Sequence, residues 1–325
     1  MSKIAMMGQI HEDGWKILKQ KNYDVFEITD FSKENLIKEL KEVDAIALRT
    51  ATLYEDVLIH CPKIKIISRH GVGYNNVDLD YLDKHKQALA VTGTSNAVSV
   101  AEHVMTMFLY LAKKINQSDT LVRNNQFMNK ASIGNFFELY QKNILILGFG
   151  RIGQAVAKRC KGFDANILVY DPFVNKEFIQ KNDYKKVEFD EGIKKADFIT
   201  IHMPLSDQTI NLINKKQFEE MRDNAIIVNT ARGGIINEED LYWALKNKTI
   251  YGAGTDVFEI EPPNSDNPLF TLDNILLSPH NAALTLECRK RMAVETVENI
   301  LYYLEDHSKL NKQNIINRKI LNLQI

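Results

Sequence analysis

The chain has 325 residues, 45% hydrophobic and 26% charged, and its 41 Lys and Arg nearly balance 42 Asp and Glu for a net charge of -1. That length exceeds what one hydrophobic core usually organises, so two domains are expected. The charge balance supplies no long-range field for nucleic acid or an anionic membrane, and Cys61, Cys160 and Cys288 are too few and too scattered for a disulfide framework or a metal site.

The first residues pass directly into strand-like sequence without a signal-peptide core, and no apolar stretch reaches membrane-spanning length. A cytoplasmic protein with no membrane partner is the expectation. Apolar runs at 4–7, 24–28, 45–48, 64–68 and 89–92 read as strands, and amphipathic patterns at 15–19, 33–41 and 79–86 as helices. This alternation is the grammar of a parallel sheet flanked by helices. A long helix is expected over 99–116, from the spacing of Val100, Val104, Met107, Phe108 and Leu111, and is read as the link between two lobes. Strands at 144–147, 167–170, 198–201, 225–228, 252–254 and 275–277 follow, with helices at 154–160 and 238–246. A last amphipathic helix over 287–304 leads into a polar tail carrying Asn311, Lys312, Gln313 and Asn314.

The segment Gly148-Phe149-Gly150-Arg151-Ile152-Gly153 sits between a strand and a helix, and Asp171 ends the next strand about twenty residues on. Gly148 permits the tight turn, Gly150 lets backbone approach a pyrophosphate, and Gly153 lets helix pack on strand. The helix that follows aims its free N–H groups and positive dipole end at the phosphates. Asp171 suits the ribose hydroxyls of the adenine side and repels a 2′-phosphate, and Pro172 and Phe173 supply no arginine to welcome one. NAD is therefore expected over NADP.

Three later segments place ionisable groups where strands end. Arg232 follows one strand beside Gly233 and Gly234, Asp256 and Glu261 follow the next, and Ser278-Pro279-His280 the one after. In open α/β sheets ligands sit at that edge. An arginine, a carboxylate and a histidine are what oxidation of an alcohol beside a carboxylate needs.

These segments, with the glycine loop, Arg69-His70-Gly71-Val72-Gly73-Tyr74-Asn75-Asn76-Val77-Asp78 and residues 96–103, resemble the D-2-hydroxyacid dehydrogenase family through nearly the whole chain. The resemblance implies an α/β fold of two Rossmann-like lobes with parallel sheets. The substrate lobe would be discontinuous, 1–98 and 285–325, with an NAD-binding lobe, 99–284, inserted into it and a substrate cleft between them. His280 would take the hydroxyl proton as hydride leaves C2, Glu261 would orient its imidazole, and Arg232 would hold the substrate carboxylate and polarise the C2 oxygen. Backbone N–H groups of Val72 and Gly73 would receive the other face of that carboxylate, with Gly71 in the same substrate loop letting the chain come close enough. By the same resemblance Arg151, Ile152, Thr209 and Thr230 join the glycines at the cofactor, with His202 and Pro204 in the loop over the adenine side and Asp256 near the nicotinamide amide. A homodimer is also implied, through the 99–116 helix and the stretch after it.

Arg49 and Arg69 end substrate-lobe strands and suggest a second anion on the substrate. Their positions resemble the phosphate-binding arginines of family members that act on 3-phosphoglycerate, which makes that acid the leading expectation and serine biosynthesis the expected setting. Other 2-hydroxy acids are the alternative, with hydroxypyruvate, glyoxylate or sulfolactate as partners in the reaction. A second alternative is a non-enzymatic, NAD-sensing corepressor-like protein. The stretch 124–140 departs from the family, with Phe127 where Trp is common, and the end soon after Asn317 leads us to expect no appended regulatory domain. His70 and His103 occupy motif positions without an evident duty. His11, His60, His85 and His307 read as surface or structural residues.

Overall fold

The computed structural model describes residues 2–21 and 23–323. The chain divides into two units, Met1–Asn96 with Leu284–Ile325, and Ala97–Ala283.

The first unit alternates β1 (Lys3–Met7), α1 (Glu12–Lys19), β2 (Asp24–Ile28), α2 (Lys33–Leu40), β3 (Ala45–Leu48), α3 (Glu55–Leu58), β4 (Ile66–Arg69), α4 (Leu79–His85) and β5 (Ala88–Val91). Its five strands pair in parallel in the order β2-β1-β3-β4-β5. Strand residues alternate between faces, and both faces are covered, which is why β1, β3 and β5 are almost wholly apolar while the edge strand β2 keeps Asp24 and Glu27 exposed. Ala5, Met7, Ile46 and Leu48 pack with Leu36, Leu40 and Leu82 on one side, while Ile4, Met6, Ala45 and Ala47 pack with Leu18, Val297 and Ile300 on the other. β4 starts and ends later than the expected 64–68, which carries Arg69 to the carboxyl end of the strand.

The second unit opens with α5 (Ala97–Lys113) and α6 (Ile115–Arg123). The expected single helix over 99–116 is thus two, because Lys114 adopts a left-handed conformation with φ 45°. Its ammonium donates to the Ile133 carbonyl at 2.7 Å and lies 5.0 Å from the Tyr251 ring centre, so tertiary contacts hold the break. Then come β6 (Asn143–Leu147), α7 (Arg151–Lys161), β7 (Asn166–Tyr170), α8 (Lys176–Lys181), β8 (Lys185–Lys186), α9 (Phe189–Lys195), β9 (Phe198–Ile201), α10 (Lys215–Glu220), β10 (Ile226–Asn229), α11 (Glu238–Lys246), β11 (Gly252–Thr255) and β12 (Ile275–Leu277). Seven parallel strands run β12-β11-β10-β9-β6-β7-β8. Ile144 and Ile146 face α5 and α7 through Phe108, Val156 and Ala157, and Leu145 and Leu147 face Ile193, Phe218 and Leu241. Most of the apolar surface of α5 from Ala101 to Ala112 is therefore spent inside this unit.

The chain returns to the first unit as α12 (Leu286–Glu305), which packs on α1, β3, β4 and β5. The residues beyond it correct the expected polar tail. Asn314 and Asn317 are buried, and the Ile316 N–H donates to the Leu89 carbonyl at 2.8 Å while Asn317 Oδ1 accepts from the Leu89 N–H at 3.1 Å. Polar composition here serves to pair the open edge of β5, which otherwise exposes unpaired backbone. Among the described residues no helix is long and apolar enough to cross a membrane.

Candidate active site

All the cofactor-side candidates lie at the carboxyl ends of the second unit's strands, and the first is the turn from β6 into α7. Gly148 has φ +93°, and a Cβ there would fall 2.8 Å from the His202 carbonyl carbon and oxygen. A Cβ on Gly153 would fall 2.1 Å from the Gly148 oxygen. Both glycines are demanded by protein packing. Gly150 is different: a Cβ there would meet nothing within 4 Å. It caps α7 with no side chain to accept the first-turn N–H groups. The helix end is thus open to an anion, as a pyrophosphate requires.

Asp171 is nearly buried at the end of β7. Its Oδ2 accepts from the Phe149 N–H at 2.8 Å and its Oδ1 from Phe173 and Val174 at 2.8 and 3.2 Å. A carboxylate offers about four acceptor positions, so capacity for a hydroxyl donor remains on Oδ2. The same residue ties the glycine turn to the neighbouring strand, a duty the sequence does not disclose. After β9, His202 Nε2 meets Thr200 Oγ1 at 2.9 Å, and burial pulls its pKa down to about 3, so the ring is neutral. Thr209 Oγ1 donates to the Pro204 carbonyl at 2.6 Å and accepts from the Ser206 N–H at 2.8 Å, closing the following turn. His202 Nδ1 and Thr230 Oγ1 are buried without a partner among the described residues. Two orphaned polar atoms at this strand edge, beside an open helix end, fit a dinucleotide whose hydroxyls and phosphates would pair them.

Arg232 leaves β10 in a turn held by Asn229, whose Oδ1 accepts from the Ala231 N–H at 3.0 Å and whose Nδ2 donates to the Arg232 carbonyl at 2.8 Å. Burial lowers the Arg232 pKa, and the nearby Glu261 carboxylate opposes that shift. Glu261 Oε1 accepts from the Phe258 N–H at 3.1 Å, and its Oε2 lies 2.8 Å from His280 Nδ1. The imidazole is thereby oriented with Nε2 free to face a reactant. Phe258, Pro262, Pro263, Phe270, Leu277 and Pro279 line a hollow of about 350 Å³ against the Glu261–His280 pair. A larger hollow of about 600 Å³ lies at the opposite strand ends, around Asn143, Asn166 and Lys185. Its Lys161, Lys185 and Lys195 are paired with Asp183 and Glu191, and no catalytic candidate approaches it.

Asp256 sits deeper than expected of a cofactor contact, at 1% exposure. It accepts from the Ser278 hydroxyl at 2.5 Å and from the Asn281 and Ala282 N–H groups at 2.9 Å each. Ser278 in turn meets His103 Nε2 at 3.0 Å. Sequence reasoning missed Ser278 and left His103 without a duty.

In the first unit, Arg69 is oriented by Asn76, whose Oδ1 accepts from Nε at 3.1 Å, and its Nη1 donates to the His70 carbonyl at 2.9 Å. This lays the guanidinium along Gly71, where a Cβ would fall 3.3 Å from Nη1. Arg49 Nη1 donates to the Gln9 carbonyl at 2.9 Å. His70 is buried, its Nε2 has no partner among the described residues, and burial with the charges of Arg49, Arg69 and Arg289 holds its pKa near 4. The Val72 and Gly73 N–H groups have no acceptor among the described residues. The unit thus gathers arginines, a neutral histidine and open backbone donors, the donor set of an anion site.

Residues 105–282 match the family described as D-isomer specific 2-hydroxyacid dehydrogenase, NAD binding domain. Over 300 residues, 92% of this chain, the sequence is 38% identical to a D-3-phosphoglycerate dehydrogenase of Archaeoglobus fulgidus, and it spans 56% of that protein's length. It is also 38% identical over 284 residues to a hydroxypyruvate reductase of Thermotoga maritima, covering 86% of this chain and 91% of that one. The crystal structure of D-lactate dehydrogenase from Aquifex aeolicus, complexed with NAD and lactic acid, is similar with a TM-score of 0.84 at 27% identity, over 97% of this chain and 99% of that chain. The chain therefore belongs to the D-isomer-specific 2-hydroxyacid dehydrogenase family, and residues 105–282 are its NAD-binding domain.

Proposed function

We propose that the protein is an NAD-dependent oxidoreductase that interconverts a small D-2-hydroxy acid and its 2-oxo acid. The observation that carries this reading is the 2.8 Å contact of His280 Nδ1 with Glu261 Oε2, made beside the half-buried Arg232. The nicotinamide, when bound, supplies the hydride acceptor at C2. His280 Nε2 takes the hydroxyl proton in oxidation and returns it in reduction, and Glu261 holds the ring and balances the charge it gains. Arg232 binds the substrate carboxylate and polarises the C2 oxygen with its planar donor fork. Gly148, Gly150 and Gly153, the α7 end at Arg151 and Ile152, Asp171, the turn from His202 through Pro204 to Thr209, and Thr230 hold the dinucleotide. Asp256 shapes the nicotinamide end through the backbone it grips.

The leading substrate is 3-phosphoglycerate. Arg49, Arg69 and the N–H groups of Val72 and Gly73 are assigned to substrate anions, with Gly71 letting the loop come close, and the charge of Arg289 bears on the same His70. Relatives of equal identity are named for phosphorylated and unphosphorylated acids, so turnover decides. NADH oxidation is measured with 3-phosphohydroxypyruvate, hydroxypyruvate, glyoxylate, pyruvate and sulfopyruvate, for the natural protein and for Arg49→Ala and His280→Ala. Preference for an acid with a second anion, lost in Arg49→Ala, supports 3-phosphoglycerate. Preference for a neutral tail makes Arg49 a structural ion and assigns the other acids. Tight NADH binding with no turnover moves the corepressor-like reading forward. We also assign a homodimer to the stretch after α5, where Ile115, Val122, Phe127 and Met128 are exposed. Sedimentation of the natural protein and of a Phe127→Ser, Met128→Ser variant tests it.

A further inference from the structure

We propose that His103 is a positioning residue for His280, acting through Ser278 and Asp256. The proposal rests on the reading of His280 as the acid–base group. His280 itself has φ +50°, a left-handed backbone that a non-glycine residue keeps only when its surroundings impose it. Asp256 supplies the imposition: its carboxylate holds Ser278 before the histidine and the N–H groups of Asn281 and Ala282 after it. The His280 N–H closes on the Ser278 carbonyl at 3.1 Å, completing the turn.

The proton count then brings in His103. A serine hydroxyl has one hydrogen. In Ser278 it is donated to Asp256 Oδ1 at 2.5 Å, the same oxygen that accepts from the Asn281 N–H. The contact of 3.0 Å to His103 Nε2 must therefore be donated by the ring, which fixes a proton on Nε2. His103 belongs to α5, a helix packed against α7, β10 and β11, so the relay ties the His280 turn to a helix anchored inside the unit. Cut at His103, Ser278 loses the donor that sets its rotamer, and Asp256 no longer holds the turn in one geometry. The distance from His280 Nε2 to a bound hydroxyl then widens, and a displacement near 1 Å is enough to cost about a hundredfold in rate.

The test compares His103→Phe, which keeps a ring without donors, with His103→Gln, whose terminal amide reaches about as far as Nε2 and donates. Expected for His103→Phe is a fall in kcat of roughly ten- to a hundredfold with NADH affinity unchanged, and recovery to within about threefold in His103→Gln. In parallel, the ring nitrogens of His280 are followed by ¹⁵N NMR, assigned by their loss in His280→Gln. The His280 signals should move in His103→Phe and return in His103→Gln. A purely structural His103 would lower thermal stability while leaving the kcat of the folded fraction and the His280 signals in place, and that result overturns the proposal. Ser278→Ala, which removes the link and keeps the ring, carries the same test if His103→Phe does not fold. Should the natural protein turn over none of the acids, the proposed function fails by itself and the NMR arm still decides whether His103 sets the His280 ring.

Discussion

Gly233 lies so close to Phe258 that a Cβ on the glycine would fall 1.8 Å from the Phe258 carbonyl oxygen. No side-chain rotation relieves a clash with backbone, so Gly233→Ala must push the Arg232 turn away from the segment that leads to Glu261. The Phe258 N–H is one of the anchors of the Glu261 carboxylate, so the displacement reaches both groups at once. We expect a loss of at least about 3 kcal/mol, at the severe end for a point substitution, with no measurable turnover. Urea unfolding and NADH oxidation check the two effects.

Gly150→Ala should behave in the opposite way. With φ -72° and ψ -162°, and open space where a Cβ would go, alanine fits the folded backbone. Restricting the unfolded chain should leave stability unchanged or raise it by up to about 1 kcal/mol. The methyl would instead stand where the pyrophosphate approaches, and NADH should bind at least about tenfold more weakly, equivalent to 1.4 kcal/mol. Fluorescence titration of NADH alongside urea unfolding separates the two, and equal affinity in variant and natural protein would deny the loop its cofactor.

His280 and Glu261 divide the chemistry unequally. His280→Ala removes the group that moves the proton and should lower kcat by about a hundredfold to ten-thousandfold. Glu261→Gln retains a hydrogen-bond acceptor near His280 Nδ1 but removes the negative charge beside both imidazole and Arg232. It should cost less than His280→Ala and change the pH dependence of kcat/KM, because the charge that balances the protonated ring is gone. Neither change should alter NADH affinity. Pre-steady-state turnover across pH 5 to 9 would reveal a Glu261→Gln profile superimposable on the natural one if the pair has no catalytic part.

Much of this arrangement was legible because parallel strands expose their carboxyl ends as one edge. Gly148, Asp171, His202, Arg232, Asp256 and His280 each follow an apolar run, so reading the runs locates the edge. The break at Lys114 was hidden, since a left-handed lysine held by Ile133 and Tyr251 leaves no periodic trace. The short helices α8, α9 and α10 were hidden as well, having too few turns to show an apolar face. The stretch through Asn314 reads as a polar tail because a buried amide such as Asn314, held by Glu295 and Asn299, looks in sequence like an amide in solvent. His103 and Ser278 stand 175 residues apart, and only the fold reveals that the motif histidine meets the serine before His280. Asp171 and Asp256 were found by position, but the backbone N–H groups that they hold have no sequence signature.

His70 predicts how the protein responds to acid. Burial, then the charge of Arg49 and the smaller effects of Arg69 and Arg289, hold its folded pKa near 4, below the ordinary 6.5. Above pH 6.5 the ring is neutral in folded and unfolded chains and contributes no pH dependence. Between 6.5 and 4 the unfolded chain binds a proton that the folded one refuses, so stability falls as pH falls and the loss levels off below pH 4. The shift corresponds to a loss on the order of 3 kcal/mol. His202, with its folded pKa near 3, acts in the same direction over an overlapping window. His70→Asn should therefore flatten, without abolishing, the decline in urea midpoint between pH 6.5 and 4, while its stability relative to the natural protein improves as the buffer becomes more acidic. Parallel declines for the two proteins across that window would mean that His70 is protonated in the fold and that the arginines around it leave room for its charge.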